Sequence, residues 1–280
     1  MTDKNKKRIL NAVMIIGTVL LIATAWEVYF RSRTQNEYEL LAQQRVEMEE
    51  KLSPSSSLEK PTNTIEQVVV EKNIATDQQK NSPGIIGEKP IEWAKNKNSV
   101  WLDLNPDFLG WVKVPRTEID YPYVRSQDNQ EYLKQDFYQQ PSKAGTLFMD
   151  YRNLSSFSDD HILIYGHNMK NGTMFHDLVK YHGKEFYRTN QEITVSDLYG
   201  SKQYRVFSVY EISADDYQLP VSFKTEREKD DYIKRLQDLS MHRIEERKMS
   251  EGQIVSLITC SYGENNGRTI IHALEISEQP

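Results

Sequence analysis

Ser256-Leu257-Ile258-Thr259-Cys260, then Ser261-Tyr262-Gly263-Glu264-Asn265-Asn266-Gly267, then Arg268-Thr269-Ile270-Ile271-His272: this stretch near the end of a 280-residue chain decides how the rest is read. A β-rich apolar run leads into a thiol, a polar turn with two glycines follows, and a second β-branched run opens on an arginine. The order is strand, thiol, loop, guanidinium, strand. Cys260 is the only cysteine in the chain, so no intrachain disulfide can form and the thiol is either buried or reactive. Because the thiolate is the nucleophile in covalent acyl transfer and a nearby cation favours it, Cys260 and Arg268 read as two parts of such a site. The competing reading is a core thiol, since alternation places Cys260 on the strand face of Ile254, Ser256 and Ile258, with Arg268 as a surface charge.

Working outward, strand-like segments fall at residues 110–114, 121–124, 146–149, 162–165, 192–197, 203–212, 254–260 and 269–276. Eight short strands with few helices between them favour a closed barrel or a sandwich over a parallel α/β sheet. Two helices interrupt them, at 174–180 and after Thr225. The second is the better marked: Thr225 and Glu228 form a capping box, and Tyr232, Ile233, Leu236 and Leu239 make an apolar stripe. Asn105-Pro106-Asp107 carries a cap-then-proline signature and predicts a short helix ended by Gly110. The globular region begins near Ile91.

A thiol site needs a proton donor and acceptor, and the chain offers six histidines. His167 follows the strand Ile162-Leu163-Ile164-Tyr165 across Gly166, where a rigid strand gives way to a loop, and such positions suit catalytic groups. His272 is the rival: it shares a strand face with Arg268, roughly 13 Å further along. His161 reads as structural or surface, His176 as a helix residue, and His182 and His242 as surface residues in charged contexts.

The N-terminus predicts export. Lys4, Lys6, Lys7 and Arg8 precede an uncharged run from Ile9 to Trp26, and eighteen helical residues span roughly 27 Å, close to a bilayer core. The basic cluster places the N-terminus in the cytoplasm and the remainder outside. A cleaved signal peptide is the alternative, because Ala23-Thr24-Ala25 resembles a small-x-small cleavage site. Residues 36–52 suggest a solvated stalk helix, and 53–88, rich in Ser, Thr, Asn and Gln with Pro54, Pro61 and Pro83, a disordered tether. The expected organisation is a cytoplasmic terminus at 1–8, a membrane anchor at 9–30, a polar stalk and linker at 31–88 and a catalytic domain at 89–280. A net charge of -6 argues against nucleic-acid binding, and one cysteine with scattered histidines offers no metal-ligand spacing.

Taken together, Ser256–Cys260 with Arg268 and the upstream Tyr165-Gly166-His167-Asn168-Met169-Lys170-Asn171-Gly172-Thr173-Met174-Phe175 resemble the sortases, and among them class B. Further likenesses fall at Asn105–Trp111, Ile119–Pro122, Asp128-Asn129 and Ala144–Asp150, so the resemblance covers residues 91–276. It implies a mainly β fold, a closed eight-stranded barrel with added helices. It also implies cysteine transpeptidation without a cofactor: a sorting signal on a secreted protein is cleaved after Thr, and the new carboxyl end is joined to an amine of a peptidoglycan precursor or a pilin lysine. Cys260 would be the nucleophile, His167 the general acid and base, and Arg268 the oxyanion or substrate stabiliser. Asn168, Ile258, Thr259 and Ser261 would contact substrate, and residues 213–250 would wall the signal groove. Three departures stand out: Ser256 replaces a usual Thr, Ile258 an often-found Ser, and the loop from Cys260 to Arg268 is short. A membrane-tethered scaffold with an inert thiol and a secreted cysteine peptidase are the alternatives to a transpeptidase.

Overall fold

The computed structural model describes residues 3–52, 100–125, 127–154, 157–213, 218–243, 252–260 and 267–276. Eight strands form its centre: β1 (Phe108–Lys113), β2 (Asp120–Arg125), β3 (Leu147–Met149), β4 (His161–His167), β5 (Glu192–Asp197), β6 (Ser201–Ser213), β7 (Ile254–Cys260) and β8 (Gly267–Glu275). They close into a barrel in the order β1-β2-β3-β4-β7-β8-β6-β5. Two neighbouring pairs, β2 with β3 and β4 with β7, run parallel. Closure leaves no unpaired sheet edge, and the interior of so small a barrel is filled by side chains. Hence β4 is buried at all seven positions, and Val206, Phe207, Val255, Leu257, Ile270 and Ile271 join the same core.

The helices are α1 (Asp3–Leu52), α2 (Trp101–Leu104), α3 (Lys184–Thr189) and α4 (Glu226–Leu239), with a 3-10 helix at Phe175–His182 between β4 and α3. At α4 the Thr225 hydroxyl accepts from Glu228 N at 3.2 Å, while the Glu228 carboxylate accepts from Lys224 N at 3.0 Å. Both ends of the predicted capping box are therefore engaged, the return bond falling one residue earlier than usual. Tyr232, Ile233 and Leu236 are its buried stripe, and Ser208 of β6 donates to the Leu236 carbonyl. The Lys184–Thr189 helix has no counterpart in the sequence reading.

Three expectations are corrected. Asn105-Pro106-Asp107 starts no helix: Asn105 Oδ1 accepts from Asp107 N at 2.8 Å, an Asx turn that leads directly into β1, and its Nδ2 donates to Phe137 O. The helix over 36–52 exists, but one face of it is not solvated. Tyr38 and Leu41 are 3% and 0% exposed, the Tyr38 hydroxyl donates to Gly145 O at 2.8 Å, and Arg45 pairs with Asp120 at 2.8 Å while lying over the Trp111 ring. Nor is His242 a surface residue: it is buried, as is His161, whose structural reading holds.

The tether expected over 53–88 and the first turns near Ile91 lie outside the described residues. Among the described residues no helix is long and apolar enough to cross a membrane. The anchor expected at 9–30 thus rests on the sequence, where the uncharged run falls within α1 and its large side chains, from Val13 to Ile22, are exposed.

Candidate active site

The parallel pairing of β4 with β7 runs from His161 opposite Ile254 to His167 opposite Cys260. Neighbouring strands lie about 4.8 Å apart, so the last residues of these two strands, 93 positions apart in sequence, end side by side. On the other side of β7, β8 pairs antiparallel, with Ile258 opposite Ile270. Arg268 lies two residues before Ile270 along β8 and Cys260 two residues after Ile258 along β7, so both stand at the same end of this antiparallel pair. The hydrogen bond from Thr269 N to the Thr259 hydroxyl, at 2.9 Å, continues the contact in that direction. Three residues picked from sequence, His167, Cys260 and Arg268, thus come to one end of the barrel on three consecutive strands.

The histidine is held closely. Gly166 precedes it because nothing larger fits: a Cβ there would lie 2.3 Å from Leu147 Cδ2 and 2.8 Å from Phe175 Cδ2. This close approach lets the 3-10 helix fold over the end of β4. Tyr165, one residue earlier, donates its hydroxyl to the buried Asp150 at 3.1 Å. His167 itself is 5% exposed, and its Nε2 lies 2.8 Å from the Leu133 carbonyl. A carbonyl only accepts, so Nε2 carries hydrogen and Nδ1 is the basic nitrogen of the neutral ring. Burial lowers the His167 pKa from its usual value, with the Leu133 bond opposing in part. The ring is neutral at pH 7 and, once charged, gives up its proton readily.

The rival histidine has a different place. His272 is fully buried, its Nδ1 against the Ser256 hydroxyl and its Nε2 3.0 Å from Tyr210 Oη. The same Ser256 hydroxyl meets His161 Nε2 at 2.6 Å. A chain His161–Ser256–His272–Tyr210 therefore runs across β4, β7, β8 and β6 on the sheet face that packs against α4, where the Tyr232 ring meets His161. Burial holds both rings neutral, His161 with its pKa pushed down to about 3 and His272 well below the usual value. Sequence reading missed this chain, since nothing local to Ser256 signals two histidine partners.

Among the residues expected to touch substrate, Asn168 turns its Oδ1 to His176 Nδ1 at 2.9 Å. Ile258 and Thr259 are 0% and 1% exposed, and the Thr259 hydroxyl is taken up by Thr269 N. Ser261 and the loop to Arg268 lie outside the described residues. Among the described residues no group of three or more His, Cys, Asp or Glu side chains could hold a metal ion.

A closed barrel that ends a histidine and a cysteine level on adjacent parallel strands, with an arginine on the next strand, is the layout of a thiol-dependent acyl-transfer enzyme. Residues 112–276 match the Sortase domain model. Sortase B of Listeria monocytogenes is 34% identical over 170 residues, spanning 60% of this chain and 69% of its own. The structure of Clostridium perfringens sortase B superposes with a TM-score of 0.60 at 32% identity, covering 64% of this chain and all of that one. A Staphylococcus aureus sortase B–substrate complex does so with a TM-score of 0.61 at 26% identity, over 65% and 86% of the two chains. The chain belongs to the sortase family of cysteine transpeptidases, in class B.

Proposed function

We propose that this enzyme cleaves a C-terminal sorting signal after Thr and transfers the shortened protein to an amine, either of a peptidoglycan precursor or of a pilin lysine. In the first step His167 takes the proton of the Cys260 thiol, Sγ attacks the scissile Thr carbonyl, and the C–N bond breaks as the charged ring passes that proton to the leaving amine, leaving a thioester. In the second, the incoming amine attacks the thioester, His167 takes its proton, and the C–S bond breaks as the ring returns that proton to Cys260 Sγ, restoring the thiol. Arg268 donates hydrogen bonds toward the oxyanion that forms in each step; removing one such donor typically costs about 10²- to 10³-fold in rate.

The observation that carries this reading is the register of β4 against β7, which ends His167 opposite Cys260. The resting neutral imidazole fits it, since the same ring must take up and then give up one proton in each half-reaction. The basic run Lys4–Arg8 before Ile9–Trp26 supports a single membrane pass within 9–30, N-terminus inside, with the barrel on the extracytoplasmic side.

The test is a sorting-peptide library incubated with the purified chain, with and without an added glycine amine, and read by mass spectrometry. A covalent thioester adduct with amine-dependent transfer product is expected. An adduct that only hydrolyses whatever the amine would make the enzyme a peptidase, and no adduct at all would leave a scaffold.

A further inference from the structure

A second concave surface lies outside the group His167, Cys260 and Arg268. It is a cavity of about 970 Å³ between α3, the turn joining β1 to β2, the early part of β6 and the segment after α4. Among the described residues five cationic side chains line it, Arg116, Lys184, Arg188, Arg205 and Arg243, against one carboxylate, Glu192. This excess of positive charge is gathered on a chain whose net charge is -6. Like charges crowded into a concavity repel one another, and a low-dielectric wall on several sides strengthens the field that they share. An anionic ligand relieves that repulsion.

The surroundings are built to stay in place. Tyr187 stacks on His242 with ring centroids 4.4 Å apart and planes 19° from parallel, and His242 Nε2 donates to the Tyr181 carbonyl at 2.6 Å. At the rim, an Arg116 Nη1 donates to the Thr189 hydroxyl at 2.9 Å. Among the described residues the one ion pair on these cations is weak. Arg188 meets Glu185 only at 3.8 Å, between side chains 66% and 79% exposed, where a pair contributes little. Among the described residues no ion pair forms on Lys184, Arg205 or Arg243.

Four of the five cations are arginines, whose planar forks bind tetrahedral oxyanions through paired hydrogen bonds. A space of this size admits more than one such group, and five positive charges call for a ligand with several negative charges in a short length. We propose that this cavity binds a multiply charged phosphate compound, of which a diphosphate is the smallest example, at a site separate from the thiol. The proposal does not depend on the acyl-transfer reading: none of His167, Cys260 or Arg268 lines the cavity.

Inorganic pyrophosphate, citrate and a short-chain, monomeric phosphatidic acid would be titrated calorimetrically into the full-length chain in neutral detergent at low salt. Pyrophosphate is expected to bind with an affinity that falls steeply as salt rises and to exceed citrate. The double variants Arg188→Ser/Arg205→Ser and Lys184→Ser/Arg243→Ser should each weaken it tenfold or more, with unchanged melting temperature; two variants are used so that one folding failure does not decide the matter. Binding of the phosphatidic acid in place of pyrophosphate would show that a single lipid phosphate suffices and would overturn the proposal. Citrate binding as tight as pyrophosphate, equal binding in wild type and both variants, or no binding of either phosphate probe would overturn the proposal.

Discussion

His167 donates its Nε2 hydrogen to the main-chain carbonyl of Leu133 at 2.8 Å, which fixes the tautomer of the ring and makes Nδ1 its basic nitrogen. Because burial lowers the pKa of this histidine, the ring is neutral above about 6.5 and charges only below it. The acid limb of kcat/KM for acyl-enzyme formation is therefore expected below pH 6.5, with the rate falling as pH drops through the lowered value. A profile of kcat/KM against pH measures it; an acid limb above 6.5 would assign the limb to some other group.

Ser256 serves two buried histidines at once. Ser256→Ala removes the hydroxyl between them and strands buried ring nitrogens beneath α4, at a cost of about 1–3 kcal/mol for each unsatisfied group. Thermal and urea unfolding should show a loss of that order, while the acylation rate measured well below the melting temperature changes little. A variant as stable as the wild type would mean that the serine bridge contributes nothing.

The same pair makes the fold sensitive to acid. His161 and His272 are neutral in the folded barrel down to pH values far below 6.5, whereas in the unfolded chain they charge near 6.5. The unfolded state thus binds more protons as pH falls below 6.5, and each histidine removes up to about 1.4 kcal/mol of stability per pH unit in that window. Urea midpoints are expected to drop between pH 7 and pH 5, above the range where carboxylates such as Asp150, whose burial is outweighed by its Arg152 hydrogen bonds, begin to titrate. A midpoint that stays flat or rises over that interval would contradict the assignment.

Docking of α1 should contribute to barrel stability, since Leu41 is fully buried and Tyr38 bonds to Gly145. Leu41→Ala is expected to cost about 2 kcal/mol or more, as buried leucines do, and to raise hydrogen exchange in β2. A chain beginning at residue 53 with the melting temperature and exchange of the full chain would show that α1 is only a tether.

Much of this was legible in sequence because the relevant signals are local. The bounds of β5 and β7 agree with the alternation and turn residues that bracket them, and α4 announces itself through Thr225 and Glu228. The barrel itself, open to a sandwich on periodicity alone, followed from the linked motifs around His167 and Cys260. The α1 contact was also written in the chain: Tyr38, Leu41 and Arg45 stand at i, i+3 and i+7, one helical face, but two of them are amphipathic and hide in a polar segment. Asn105 misled because the residues that cap helices also make Asx turns. The His161–Ser256–His272 chain was out of reach, since strand register brings together residues 95 positions apart, and only the closed barrel supplies that register.

The central claim is that His167, and not His272, works with Cys260. It is tested most directly by intact-mass detection of the thioester adduct in Cys260→Ala, His167→Ala and His272→Gln, compared at a temperature where all three are folded. No adduct is expected in Cys260→Ala, a loss of about 10²-fold or more in its rate of formation in His167→Ala, and a near wild-type rate in His272→Gln. Equal loss in the two histidine variants, or an adduct that survives Cys260→Ala, would contradict it.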